Sequence, residues 1–94
     1  MERSEISLHE VKVFLAINET WKSNREISAE SGVNSNTARL HTRRLVDLGL
    51  VELAEVFPGH RFKRSDMAQK RNKGYCDRIV KACDVFGLKS PFGS

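Results

Sequence analysis

Ninety-four residues carry 16 Lys+Arg against 12 Asp+Glu, a formal net charge of +4, and 39% of them are hydrophobic. That length suits one small domain with at most a short appendage, and leaves too little core for a large enclosed active site. No apolar run nears the roughly 20 residues of a bilayer span, the N-terminus lacks a secretory pattern, and two cysteines make no disulfide framework; a cytoplasmic, non-membrane chain is expected.

The first helix is expected over about 8–19. Ser7 and Glu10 have capping-box spacing, Ile6 and Val11 that of a hydrophobic staple, and Leu8, Val11, Phe14, Leu15 and Asn18 trace one face. Trp21, in the following connection, reads as core. Ser23 and Glu26 repeat the capping box and open a short helix at about 24–31, burying Ile27 and Ala29. Gly32 suits a left-handed turn, Val33 plugs the core beneath it, and Asn34 or Ser35 caps a third helix running to about Leu48, stopped by Gly49.

The period then changes. Residues 51–57 are β-rich, Pro58-Gly59 is a turn dipeptide, and Arg61-Phe62-Lys63-Arg64 alternates, which predicts a hairpin with a basic tip and second strand. Val56 and Phe57 break the alternation and suggest a bulge. Ser65-Asp66 is positioned to cap a further helical segment. Tyr75, Cys76, Ile79, Val80, Ala82, Cys83 and Phe86 form an apolar stripe ended by Gly87, with Gly74 either a break or an interior residue. Three segments follow: a domain over 1–65, a helical extension over 66–88, and a frayed tail over 89–94.

The charge is unevenly placed. Residues 1–33 have four basic and six acidic side chains, a net of −2, whereas 34–64 and 65–94 are each +3. Two clusters hold the excess: Arg39, Arg43 and Arg44, then His60, Arg61, Lys63, Arg64, Lys70, Arg71 and Lys73.

Arg25-Glu26-Ile27-Ser28-Ala29-Glu30-Ser31-Gly32-Val33-Asn34 followed by Thr37 through Leu48-Gly49-Leu50-Val51 resembles the helix-turn-helix of winged-helix proteins, notably bacterial transcription regulators of the MarR and ArsR type. The resemblance covers residues 7–65. It implies an α+β, mainly α winged helix: a three-helix core, a two-stranded wing, and here an added C-terminal helix. Thr42 departs from the pattern, standing where these regulators carry a bulky aliphatic residue.

At about 100° per residue, Ala38, Thr42, Leu45 and Leu48 share one side of the third helix. Asn36, Arg39, Leu40, Arg43 and Asp47 take the opposite side, with Arg44 beside them. Arginine can bridge guanine O6/N7, asparagine adenine N6/N7, and leucine can meet a thymine methyl. Ser35, Thr37 and the helix N-terminus suit phosphates. His60, Arg61, Lys63 and Arg64 are the candidate wing contacts, Arg61 in a minor groove and the lysine and Arg64 along phosphates.

Cys76 and Cys83 lie two helical turns apart, too far for a disulfide within an intact helix. With His9, His41 and His60 they show no metal-ligand spacing, so no metal or cofactor is expected. No nucleophile motif or phosphate loop appears, and no enzyme is expected. Tyr75, Ile79, Cys83 and Phe86 are candidate dimer-seam residues of a homodimer, with packing inside the chain as the alternative. The expected function is sequence-specific binding of double-stranded DNA as a transcription regulator, a repressor. An accessory DNA-binding factor of recombination or replication, or a module that binds a protein partner through Leu40, are the alternatives.

Overall fold

The computed structural model describes residues 6–56 and 59–92. Five helices and one hairpin follow in order: α1 (Leu8–Ala16), α2 (Asn24–Ser31), α3 (Ser35–Asp47), β1 (Val51–Val56), β2 (Gly59–Arg64), α4 (Ala68–Arg71) and α5 (Lys73–Phe86). The fold is mainly helical with a two-stranded antiparallel sheet.

Ser7 caps α1 by accepting the Glu10 N–H at 3.2 Å. Glu10 does not return the bond: its side chain is buried and accepts from the Tyr75 hydroxyl instead. The helix ends at Ala16, three residues short of the expected end, for local reasons. Asn18 Oδ1 accepts from Thr20 N, and the Asn18 carbonyl accepts from Arg64 N at 2.7 Å, which draws the chain to the hairpin. Ile17, extended at the C-cap, is fully buried.

The next segment reverses its expected inside and outside. Lys22 pairs with Phe62 through two backbone hydrogen bonds of 2.8 Å, adding a single bridge beside β2. The Lys22 side chain therefore lies under the sheet, donating to the Ala16 carbonyl at the α1 C-terminus and to Glu30 on α2. Trp21, its neighbour on an extended chain, is turned the other way and is 42% exposed.

The full capping box at α2 forms as expected, and Gly32 takes φ +73. Ala29 is exposed, whereas Ile27 and Val33 are buried. Asn34 is the cap of α3, its Oδ1 accepting from Asn36 N at 2.8 Å. Ala38, Thr42 and Leu45 face the core. Thr42 is fully buried, yet its hydroxyl oxygen has no hydrogen-bond partner. An unpaired buried hydroxyl carries a desolvation cost of about 1–3 kcal/mol. Thr42→Val is therefore expected to stabilise the fold by about 1 kcal/mol, a rise of roughly 4–8 °C in Tm for a domain of this size; thermal unfolding of the two proteins checks it.

Pairing within the hairpin is regular from Val51↔Arg64 to Val56↔Gly59, so its paired residues contain no bulge. Phe57 and Pro58 lie outside the described residues. The C-terminal extension breaks at Asn72, not Gly74. Asn72 takes φ −151, accepts from Tyr75 N to cap α5, and donates to the Leu48 carbonyl at the end of α3. Ser65 is buried and its hydroxyl accepts from Met67 N, but no side chain caps α4.

Tyr75, Cys76, Ile79, Ala82 and Cys83 form the buried face of α5 and belong to the same core as α1. The extension thus completes the core of the domain. In the tail, the Phe92 ring lies 5.8 Å from Phe14 and beneath the Arg64 guanidinium. Burial pushes both cysteine thiols above their ordinary range; both are free.

Candidate nucleic-acid interface

Burial of Ala38, Thr42 and Leu45 fixes the rotation of α3 about its axis. Counting 100° per residue from that face, Asn36, Leu40, Arg43 and Asp47 point most directly outward, and all four are exposed, Leu40 to 70%. The two flanks differ. Arg39 and Arg43 border a cleft of about 500 Å³ shared with the hairpin, whose other walls include Asn24, Leu53, Glu55, His60 and Phe62. Arg44 and His41 lie on the opposite flank, against Glu10 of α1, at 3.8 and 3.7 Å. The seven expected contacts on α3 thus do not form one set. Ser35, Asn36, Arg39, Leu40 and Arg43 are exposed, Thr37 is half-buried, and Arg44, itself exposed, has an intrachain carboxylate 3.8 Å away.

At the start of α3, Asn34 occupies the Asn36 N–H. The Ser35 and Thr37 N–H groups have no partner within the helix, as at any helix start, and with the helix dipole they favour an anion.

Alternation divides the four wing candidates between the two faces of the sheet. Arg61 and Lys63 take the outer face, opposite Ala54 and Glu52 of β1. His60, Phe62 and Arg64 take the inner one, with Phe62 buried. Distance from the tip divides them again: His60 and Arg61 follow Gly59, whereas Lys63 and Arg64 lie at the base. Lys63 Nζ sits over the Trp21 ring, 5.1 Å from its centroid. Arg64 is only 17% exposed, 3.6 Å from Glu19 and stacked on Phe92. Arg64 is therefore largely enclosed by partners from its own chain at the hairpin base. Glu55 stands 3.8 Å from His60 and moderates the positive charge near the tip.

Trp21 is the surface residue that sequence reasoning missed. The signal lay in its neighbour: one of Trp21 and Lys22 had to face inward, and the α1 C-terminal carbonyl and Glu30 supply Lys22 with partners there. Lys70, Arg71 and Lys73 are exposed beyond the hairpin base, Lys73 paired with Asp77 at 3.1 Å.

Three of the four expected seam residues, Tyr75, Ile79 and Cys83, are buried by their own chain and have no surface left for a partner. Phe86 is partly exposed, as are Val80 and Val85. Among the described residues, no group of three or more His, Cys, Asp or Glu is placed to hold a metal ion, and no helix is long and apolar enough to cross a membrane.

No protein-family model matches the chain, and no curated protein matches it. Solved structures do. The chain superposes on BpsR of Bordetella bronchiseptica, whose DNA binding is regulated by 6-hydroxynicotinic acid, with a TM-score of 0.63 over 98% of this chain and 74% of that one. A cysteine-to-serine mutant of ZitR from Lactococcus lactis gives 0.56 over 93% of this chain and 61% of that one. The fold is a winged helix. Sequence identities of 13% and 12% carry that conclusion and no more. In winged-helix terms α3 occupies the recognition-helix position and β1–β2 the wing, with α4 and α5 appended after it.

Proposed function

We propose that this winged helix binds double-stranded DNA in a sequence-specific manner and regulates transcription in the cytoplasm, as a repressor that occludes its operator. The observation that carries the reading is the outer face of α3, where Asn36, Leu40 and Arg43 stand exposed with Arg39 beside them. These are side chains able to read base edges in a major groove. The first turn of α3 and the wing tip, with His60 and Arg61, hold the backbone or enter a minor groove. BpsR, a structural neighbour, binds DNA, and the MarR/ArsR-like run through Leu48-Gly49-Leu50-Val51 supports the same role.

A homodimer fits best through the outward face of α5. Val80 and Val85 are exposed there, and Lys81 lies between Asp77 and Asp84 along the helix. A two-fold protein calls for a pseudo-palindromic site with half-sites one helical turn, or a multiple, apart.

Site selection from random duplex DNA, with the mass of the complex measured alongside, tests specificity, symmetry and stoichiometry together. A symmetric consensus bound by two chains is expected; equal binding of selected and random duplexes overturns base reading. Arg61→Ala is expected to weaken both duplexes similarly and to reduce the slope of log K against log salt by about one. Exposed Leu40 favours a second reading, a protein-binding surface on α3. Absence of DNA binding at low salt, with a protein partner that Leu40→Ala releases, would establish it.

A further inference from the structure

Where α1, α3 and α5 meet, one carboxylate is shut away from water: the Glu10 side chain is 9% exposed. Partners from the other two helices surround it. The Tyr75 hydroxyl of α5 donates to Oε2. From α3, His41 Nδ1 lies 3.7 Å from Oε1 and Arg44 Nε 3.8 Å from Oε2. Burial and the Glu10 carboxylate push the Tyr75 hydroxyl far above its ordinary range, so it stays a donor. A charge taken out of water needs such compensation.

Arg44 is the member of the cluster that faces two ways, with a side chain 66% exposed. It follows Arg43 on the recognition helix, and an unpaired guanidinium there would meet a nucleic-acid phosphate as readily as its neighbours do. Glu10 presents what a phosphate presents, a negative charge on acceptor oxygens, and presents it from within the chain. We infer that Glu10 is an internal counter-anion that holds Arg44 against α1 and withholds it from DNA phosphates.

This inference rests on the DNA-binding reading above. A phosphate contact carries no sequence information, so withholding one lowers affinity for all DNA alike while the base-reading residues stay in place. Glu10 is thus a positioning residue whose effect is expressed through Arg44. The C-terminal helix sets the clamp, because Tyr75 orients the carboxylate and Asn72 ties the same helix to the Leu48 carbonyl.

The test uses the full chain with two duplexes of equal length, one from site selection and one random, and measures log K against log salt. Glu10→Gln keeps the shape and an acceptor for Tyr75 but removes the charge. It is expected to steepen the salt slope by about one on both duplexes, as one added phosphate contact does, and to raise affinity for the random duplex several-fold. The double variant Glu10→Gln with Arg44→Ala is expected to return to the wild-type slope. An unchanged slope in Glu10→Gln, or a steeper one that survives in the double variant, overturns the inference.

If Glu10→Gln does not fold, Arg44→Ala alone decides. It is expected to lower the slope by well under the value of about one that Arg61→Ala removes, and an equal loss overturns the inference. A wild type that binds neither duplex overturns the DNA reading and this inference with it. A wild type that binds, with a slope Glu10→Gln does not move, overturns this inference alone.

Discussion

Replacing Ile79 by alanine is expected to lower the unfolding free energy by about 2–5 kcal/mol, and to do so equally in dilute and concentrated protein. Ile79 is fully buried on the face of α5 that packs into the core with α1, alongside Tyr75, Cys76 and Cys83. Truncation removes buried apolar area and leaves a cavity that its helix-bound neighbours fill only in part. For a domain of this size each kcal/mol is worth roughly 4–8 °C, so the midpoint should fall by on the order of 10–30 °C. Native stability is itself only about 5–15 kcal/mol, which makes this one of the largest effects a single side-chain truncation can have here. Were Ile79 a seam between copies, the loss would vanish at concentrations where the chains separate. Thermal unfolding over a wide concentration range separates the outcomes, and a concentration-dependent loss would contradict the packing.

The same helix shows what the sequence could and could not convey. The apolar period of Tyr75, Cys76, Ile79, Ala82 and Cys83 is explicit in the sequence, and so is a helix. What that face packs against is not, since a stripe waiting for a partner and a stripe lying on α1 have the same spacing. The helix-turn-helix was legible because its devices are local: the Ser23–Glu26 capping box, the left-handed Gly32 and Val33 beneath it. Rotation of α3 was legible too, from Ala38, Thr42 and Leu45. Non-local pairing was hidden. Lys22 under the sheet with Trp21 outside, Glu10 turned from its own cap to Tyr75, and Arg64 bound to Glu19 and Phe92 all arise from segments distant in the chain. Each of these placements involves a charged residue that finds an intrachain partner, and hydropathy alone assigns such residues to solvent.

That distinction decides which arginine of α3 matters most for sequence reading. Arg44 has an intrachain carboxylate at 3.8 Å, whereas Arg43 stands exposed on the hairpin-facing side of the outer face, beside Asn36, Leu40 and Asp47. A guanidinium there presents two parallel donors to guanine O6 and N7, and a good bidentate contact discriminates by about 1–3 kcal/mol. Arg43→Ala is therefore expected to weaken the selected duplex by roughly 5- to 150-fold and to relax preference at one base position, with little loss on random DNA. Arg43→Lys should recover part of the affinity but little of the preference, because an ammonium cannot bridge both acceptors in a fixed plane. Competition binding with duplexes varied at each position reads both quantities at one fixed salt concentration. Equal losses on selected and random duplexes would make Arg43 a phosphate contact and move base reading to Arg39 and Asn36, on the cleft side and at the N-terminal turn of the same helix.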